Sequence, residues 1–172
     1  MCDEGRRRMI YECERRQRLD VSADVAWQWM SDVRRLLRLN IFHAEVSAPH
    51  PVTQAGLTVP IRHNIAGIYR QVRLARIHTY RKYKVAWGEF QTSGVDRFPH
   101  SQSFTLIPVD AAHCILVNRL RGKFVIPAAR YWFMPVYRRI APRIMDHENR
   151  QIAVAVAAMQ SEERGDARVS GR

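Results

Sequence analysis

The sequence is short of cysteines and acids, and it has no long apolar run. Its three cysteines, Cys2, Cys13 and Cys114, have no C-x-x-C partners among 172 residues. That spacing leaves no zinc finger and no dithiol redox motif. A small, odd number of thiols fits a reducing compartment. No stretch approaches the roughly 18 apolar residues of a membrane-spanning helix. The opening MCDEGRRR lacks the apolar core of a secretory signal. The expectation is a cytoplasmic protein, with peripheral membrane contact as a variant of it. Sixteen acidic residues stand against 28 lysines and arginines, for a net charge of +12. This balance favours anionic partners such as acidic lipid headgroups, acidic small molecules or nucleic acid. The basic residues are spread along the chain, and no nucleic-acid motif accompanies them, so nucleic acid ranks last.

Catalytic signatures are missing as well. The chain has no G-x-S-x-G, Walker A or G-x-G-x-x-G motif, so nothing supports a serine hydrolase or a nucleotide-binding fold. HENRQ at 147–151 begins like the zinc-protease helix H-E-x-x-H, but Gln151 stands where the second histidine belongs. No metal site and no cofactor are indicated.

What is present is a run of strand patterns closed by one long helix pattern. Met9–Leu19 reads as a polar first strand. Ser22 is a good N-cap for a helix from Ala23, with Asp24 in its first turn, and a second short helical turn covers Val33–Arg38. Strand patterns follow at Ile41–Ser47, Gly56–Ile65, Tyr69–Tyr80, Lys84–Gln91, His100–Pro108 and His113–Lys123. Leu57, Val59, Ile61, His63 and Ile65 alternate onto one face, as do Val85, Trp87 and Glu89. His100, Gln102, Phe104 and Leu106 form a third such set. Short connections imply an antiparallel meander. Residues 1–8 and 161–172 read as flexible ends.

Residues 124–159 carry the longest helical period. Projection at 3.6 residues per turn puts Val136, Ile140, Ile144, His147, Gln151, Val154 and Ala158 on one face, with Arg139, Arg143 and Arg150 opposite. Pro135 suits a first turn, whereas Pro142 predicts a kink or a split. His147 and Gln151 interrupt the apolar face, either to meet a ligand or to be held by structural hydrogen bonds. If the face of Val85 and Trp87 is internal, Glu89 is a buried carboxylate. It is then either a general acid or base with a raised pKa or one half of an ion pair, for which Arg119 is a candidate. Aromatic residues beside Arg130, Trp132, Arg138 and Arg139 suit an anionic membrane surface, or they pack the lead-in to the helix.

Three stretches carry a family likeness. LDVSADVAWQWMSD is similar to the junction of first strand and first helix in the START-like, or Bet v 1-like (SRPBCC), superfamily of polyketide cyclases/dehydrases and lipid-transport proteins. RIHTYRKYKVAW resembles its central strands, and HSQSFTLIPVDAAHCILVNRLRGKF resembles its last hairpin. The likeness covers roughly residues 9–160. It implies an α+β helix-grip fold, with a curved antiparallel sheet of about seven strands around a long C-terminal helix and one or two short helices after the first strand. It also implies an internal cavity that takes a lipid, isoprenoid or polyketide-like molecule. The expected lining is His63, Trp87, Glu89, Gln102 and Phe104 from the sheet, with Phe133, Tyr137, Ile140, Ile144, His147 and Gln151 from the helix. A carrier or sensor of a hydrophobic small molecule is the first reading. The alternative is a cyclase, aromatase or dehydratase acting through Glu89, His100, Arg119 and His147. A basic surface for an anionic membrane or nucleic acid is the third.

Overall fold

The first described strand pairs with the last one, so the sheet is ordered by one long-range pairing and five hairpin steps. The computed structural model describes residues 10–65, 67, 69–125 and 127–169, with side chains at 65, 69, 127–130, 132, 133 and 163–169 excepted. The strands are β1 (Ile10–Leu19), β2 (His43–Val46), β3 (Thr58–Ile65), β4 (Tyr69–Arg81), β5 (Lys84–Gln91), β6 (His100–Pro108) and β7 (Cys114–Lys123). They form one antiparallel sheet in the order β1-β7-β6-β5-β4-β3-β2. Helices α1 (Ala23–Met30) and α2 (Val33–Leu37) separate β1 from β2, and α3 (Pro127–Val169) closes the chain. This is a helix-grip fold.

Local chemistry explains the helical corner. The Ser22 hydroxyl accepts the Val25 N–H at 3.2 Å and caps α1. Asp32 caps α2 by accepting the Arg34 N–H at 3.1 Å, and it also accepts the Val52 N–H at 3.0 Å. The Arg34 guanidinium closes back on Asp32 at 2.7 Å, so one carboxylate fastens the α2 entry to the segment before β3. Val33, Leu36 and Leu37 are thereby driven into the core.

Strand alternation matches the expected faces for β3, β5 and β6. In β4 the inward residues are Arg73, Ala75 and Ile77, while Val72 is 47% exposed. A bulge between Ile77 and Thr79 breaks the alternation there, so apolarity alone misreads the strand.

The long helix departs from its projection in three ways. First, it is not split: Pro135 and Pro142 both lie within one continuous helix, each removing only one i→i−4 bond. Second, its backbone continues to Val169, past the expected end near Met159 and into the stretch expected to be flexible. Third, its inner face is Met134, Ala141, Met145, Glu148, Ile152 and Val156, whereas Val136, Ile140 and Val154 are exposed at 51%, 39% and 66%. Projection had favoured the apolar residues, but the buried stripe includes Glu148 and Asn149, which are satisfied by hydrogen bonds from the sheet. Arg139, Arg143 and Arg150 are exposed as expected. Residues 1–8, expected to be flexible, lie outside the described residues. No helix among the described residues is long and apolar enough to cross a membrane.

Candidate functional site

Among the described residues most of the buried apolar side chains fall into two clusters. One joins α1 and α2 to the near halves of β3–β7 and to Ile152 and Val156. The other gathers Tyr11, Leu120, Phe124, Met134, Ala141 and Met145, with Cys13, Phe98 and Tyr137 against them. Between the clusters lies a layer of buried polar side chains, to which almost every strand contributes: His43 from β2, His63 from β3, Arg73 from β4, Glu89 from β5, Gln102 from β6 and Asn118 from β7. His100 adjoins it, and Glu148 and Asn149 cover it from α3. The alternation of β7 shows the order plainly, since Leu116 belongs to the first cluster, Asn118 to the layer and Leu120 to the second cluster.

At one end of the layer stands Glu89, only 2% exposed. Its Oε1 accepts the Trp87 indole N–H at 3.0 Å. Three imidazoles turn Nε2 toward it: His63 at 3.1 Å and His100 at 3.3 Å from Oε2, and His43 at 3.4 Å from Oε1. Burial pushes the Glu89 pKa up, but the charge of His100 and the imidazoles of His100, His43 and His63 outweigh it and hold the carboxyl well below its usual range. At His43 burial opposes charge, yet the adjacent Glu89 and the Leu37 carbonyl prevail and raise the pKa. At His63 burial prevails over Glu89 and lowers it. Arg73 supports the group from behind. It forks onto Asp96 at 3.2 and 3.0 Å and donates to the carbonyls of Glu89 and Phe98 at 3.0 and 3.1 Å. Asp96 in turn accepts the N–H groups of Gln91 and Phe98, which ties the 92–99 loop to the cluster.

At the other end stands Glu148, 1% exposed. Its Oε2 accepts Gln102 Nε2–H at 2.6 Å and Asn118 Nδ2–H at 2.9 Å. Asn118 also donates to Asn149 Oδ1 at 3.3 Å and accepts from Gln102 at 3.1 Å. Burial raises the Glu148 pKa to about 7, since the Asn118 and Gln102 amides and the charge of His43 offset it only in part and Glu89 repels it. A carboxyl in this state holds or releases a proton near neutral pH.

Of the expected residues, His63, Glu89, His100 and Gln102 come together in the layer. Trp87 and Phe104 stack 5.7 Å apart in the first apolar cluster. Tyr137 belongs to a separate aromatic group with Tyr11, Phe98 and Phe124. Ile144 is buried, but Ile140 and Gln151 face outward and His147 is only half-buried. Arg119 is on the outer face, 62% exposed and paired with Glu14. It therefore has no part in the Glu89 cluster, where Arg73 takes the place proposed for it. Neighbouring positions on β7 point to opposite faces, and inner Asn118 leaves Arg119 outside. The Phe133, Arg130 and Trp132 side chains lie outside the described residues, and Arg138 and Arg139 are exposed. The residues that sequence reasoning missed are His43, Arg73, Asn118, Glu148 and Asn149.

No protein-family model matches the chain, and no curated protein matches it in sequence. Solved structures do match in fold. A START superfamily protein from Mycobacterium smegmatis aligns with a TM-score of 0.65 and 14% identity, over 86% of this chain and 98% of that one. The Zhui aromatase/cyclase from Streptomyces sp. R1128 aligns at 0.66 and 14%, over 86% and 94%. Norcoclaurine synthase from Thalictrum flavum, in complex with dopamine and hydroxybenzaldehyde, aligns at 0.63 and 11%, over 87% of each chain. The likeness is one of fold: the chain shares the helix-grip architecture of a START superfamily protein and of aromatase/cyclases.

Proposed function

We propose that the protein binds an oxygen-bearing, otherwise apolar small molecule against the polar layer between the sheet and α3. The observation that carries this reading is the layer itself. A core serving stability alone gains by merging its apolar clusters, since buried polar and charged groups are costly and apolar replacements of buried ion pairs are often neutral or stabilising. A row of hydrogen-bonding groups between two apolar clusters matches a ligand with polar substituents on an apolar frame. The structural neighbours support that ligand class, because aromatase/cyclases recur among them and one holds dopamine and hydroxybenzaldehyde.

Native mass spectrometry of the purified protein, with a Trp87-reported fluorescence titration by a hydroxynaphthoate, tests this. A 1:1 saturable complex is expected, weakened by Asn118→Leu and unchanged by Ser103→Ala on the outer face. Absence of any co-purified compound together with no saturable titration ends the proposal.

A second reading, favoured by Glu148 alone, is that the bound molecule undergoes proton transfer of the cyclase or dehydratase type. Turnover of a poly-β-ketone surrogate that vanishes in Glu148→Gln, with binding retained, supports it. Product formation equal to the enzyme-free control rejects it.

A further inference from the structure

Two of the three histidines around Glu89 have their tautomers set by backbone. His43 Nδ1 lies 2.6 Å from the Leu37 carbonyl and His100 Nδ1 lies 3.1 Å from the Phe98 carbonyl. A carbonyl only accepts, so both Nδ1 atoms carry the hydrogen. In the neutral ring each Nε2 is then a lone pair, and each is aimed at the Glu89 carboxylate. His43 Nε2 is buried, with its side chain 0% exposed, and it has no hydrogen-bond partner. A lone pair facing a buried carboxylate is relieved by a proton or by a metal ion between them, and the 3.4 Å His43 contact, which makes no hydrogen bond, leaves room for the second.

We propose that this cluster is a binding site for a divalent transition-metal ion of the zinc class. His43, His63 and Glu89 are the ligands, with His100 beside Glu89 but outside that group of three. The nitrogen and carboxylate donors of His43, His63 and Glu89 all lie within 4.8 Å of one another. His63 Nε2 lies 3.1 Å from Glu89 Oε2 and His43 Nε2 lies 3.4 Å from Oε1, each near the ligand–ligand separation of about 3.3 Å that bonds of about 2.0–2.1 Å give around a tetrahedral ion. An Nδ1–H on a backbone carbonyl is also how metal-binding imidazoles are oriented. Imidazole with one carboxylate is a donor set that zinc accepts and that magnesium and calcium do not favour. Arg73, bound to Asp96 and to the Glu89 carbonyl, approaches Glu89 Oε2 only to 4.0 Å through Nε and is outside the donor set. The ligands are separated by 20 and 26 positions on three strands, so no short motif announces them. The proposal stands without the ligand proposed above, whose test variant Asn118→Leu is at the Glu148 end of the same layer.

The test uses the full chain, stripped with chelator and titrated with Co2+ while its visible absorption is followed, then with Zn2+ in competition. One equivalent of Co2+ is expected, with the intense bands of low coordination number, displaced by one equivalent of Zn2+. His43→Ala and His63→Ala should each weaken Co2+ binding by roughly 100-fold or more, since even outer-shell partners contribute about 10–100-fold. His113→Ala, on the outer surface beside Asp110, should leave binding unchanged. Circular dichroism establishes that each variant is folded. If the ligand variants unfold, the proton spectrum of the wild-type Co2+ form decides: two exchangeable, strongly shifted Nδ1–H signals are expected. No saturable binding by the folded wild-type chain overturns the proposal. So does one-equivalent binding that survives both ligand variants, or a Co2+ form without shifted imidazole signals.

Discussion

Glu89 and Glu148 are equally buried, at 2% and 1% exposure, in one layer of one core, yet they are held in opposite states. Glu89 is kept ionised by imidazoles, and Glu148 is pushed to about 7 by burial that neutral amides do not offset. The difference teaches that burial alone does not decide the charge of a carboxylate; the formal charge of its neighbours does. The two ends of the layer are accordingly fit for different work: one concentrates permanent charge, and the other holds an exchangeable proton.

The largest effect expected from breaking this contrast is at Glu89. Glu89→Gln leaves the surrounding cationic and imidazole groups without their counter-charge. It should cost about 3–5 kcal/mol, the usual loss when one partner of a buried ionic group is removed. Urea denaturation measures it, and a loss below about 1 kcal/mol would show that the cluster is not holding the fold.

The opposite sign is expected at Glu148. Its folded-state pKa of about 7 lies above the unfolded value near 4.5. Its contribution is therefore complete below about pH 4.5 and is lost as the pH rises through about 7, a change of about 3 kcal/mol. Glu148→Gln keeps an oxygen for Gln102 and Asn118 and removes the ionisation. The variant should be more stable than wild type at pH 8 and comparable at pH 4.5, as melting temperatures at the two pH values will show. Glu89 acts the other way: its contribution is present above about 4.5 and is lost as the pH falls through its depressed value. A Glu148→Gln variant that melts below wild type at pH 8 breaks the comparison.

A smaller effect is expected at Gly122, where an added Cβ would come within 2.3 Å of the Phe98 ring. Phe98 belongs to the loop whose Asp96 clamps Arg73. Gly122→Ala should cost about 1–3 kcal/mol by overpacking. It should also disturb the Glu89 end alone, leaving the pH dependence attributed to Glu148 in place. Loss of that dependence would mean the two ends are one unit.

Much of this arrangement was legible in the sequence. Period-two alternation put His63, Glu89 and Gln102 on inward faces, and Ser22 marked the α1 cap. His43 was hidden because β2 is four residues long and shifts register between His43 and Glu45, too short for a pattern to declare its face. Arg73 was hidden because β4 is basic throughout and bulged, so a buried arginine looks like its solvated neighbours. Glu148 and Asn149 were hidden for a different reason. Hydrophobic projection assigns polar residues to water, and only the amides of β6 and β7 show that these two have partners inside. Arg119 was misplaced by the converse error, an ion pair inferred without knowing which side of β7 it occupies.

The single polar stratum also acts as an alignment key for the sheet. Strands made only of alternating apolar residues tolerate a slip of two positions, because the same face remains apolar. Here such a slip of β5 would move Glu89 out of the polar stratum to a level occupied by apolar side chains, and a slip of β7 would do the same to Asn118. Each mispairing strands a charge or an amide among hydrocarbon. The same buried polar chemistry thereby proofreads how the strands assemble.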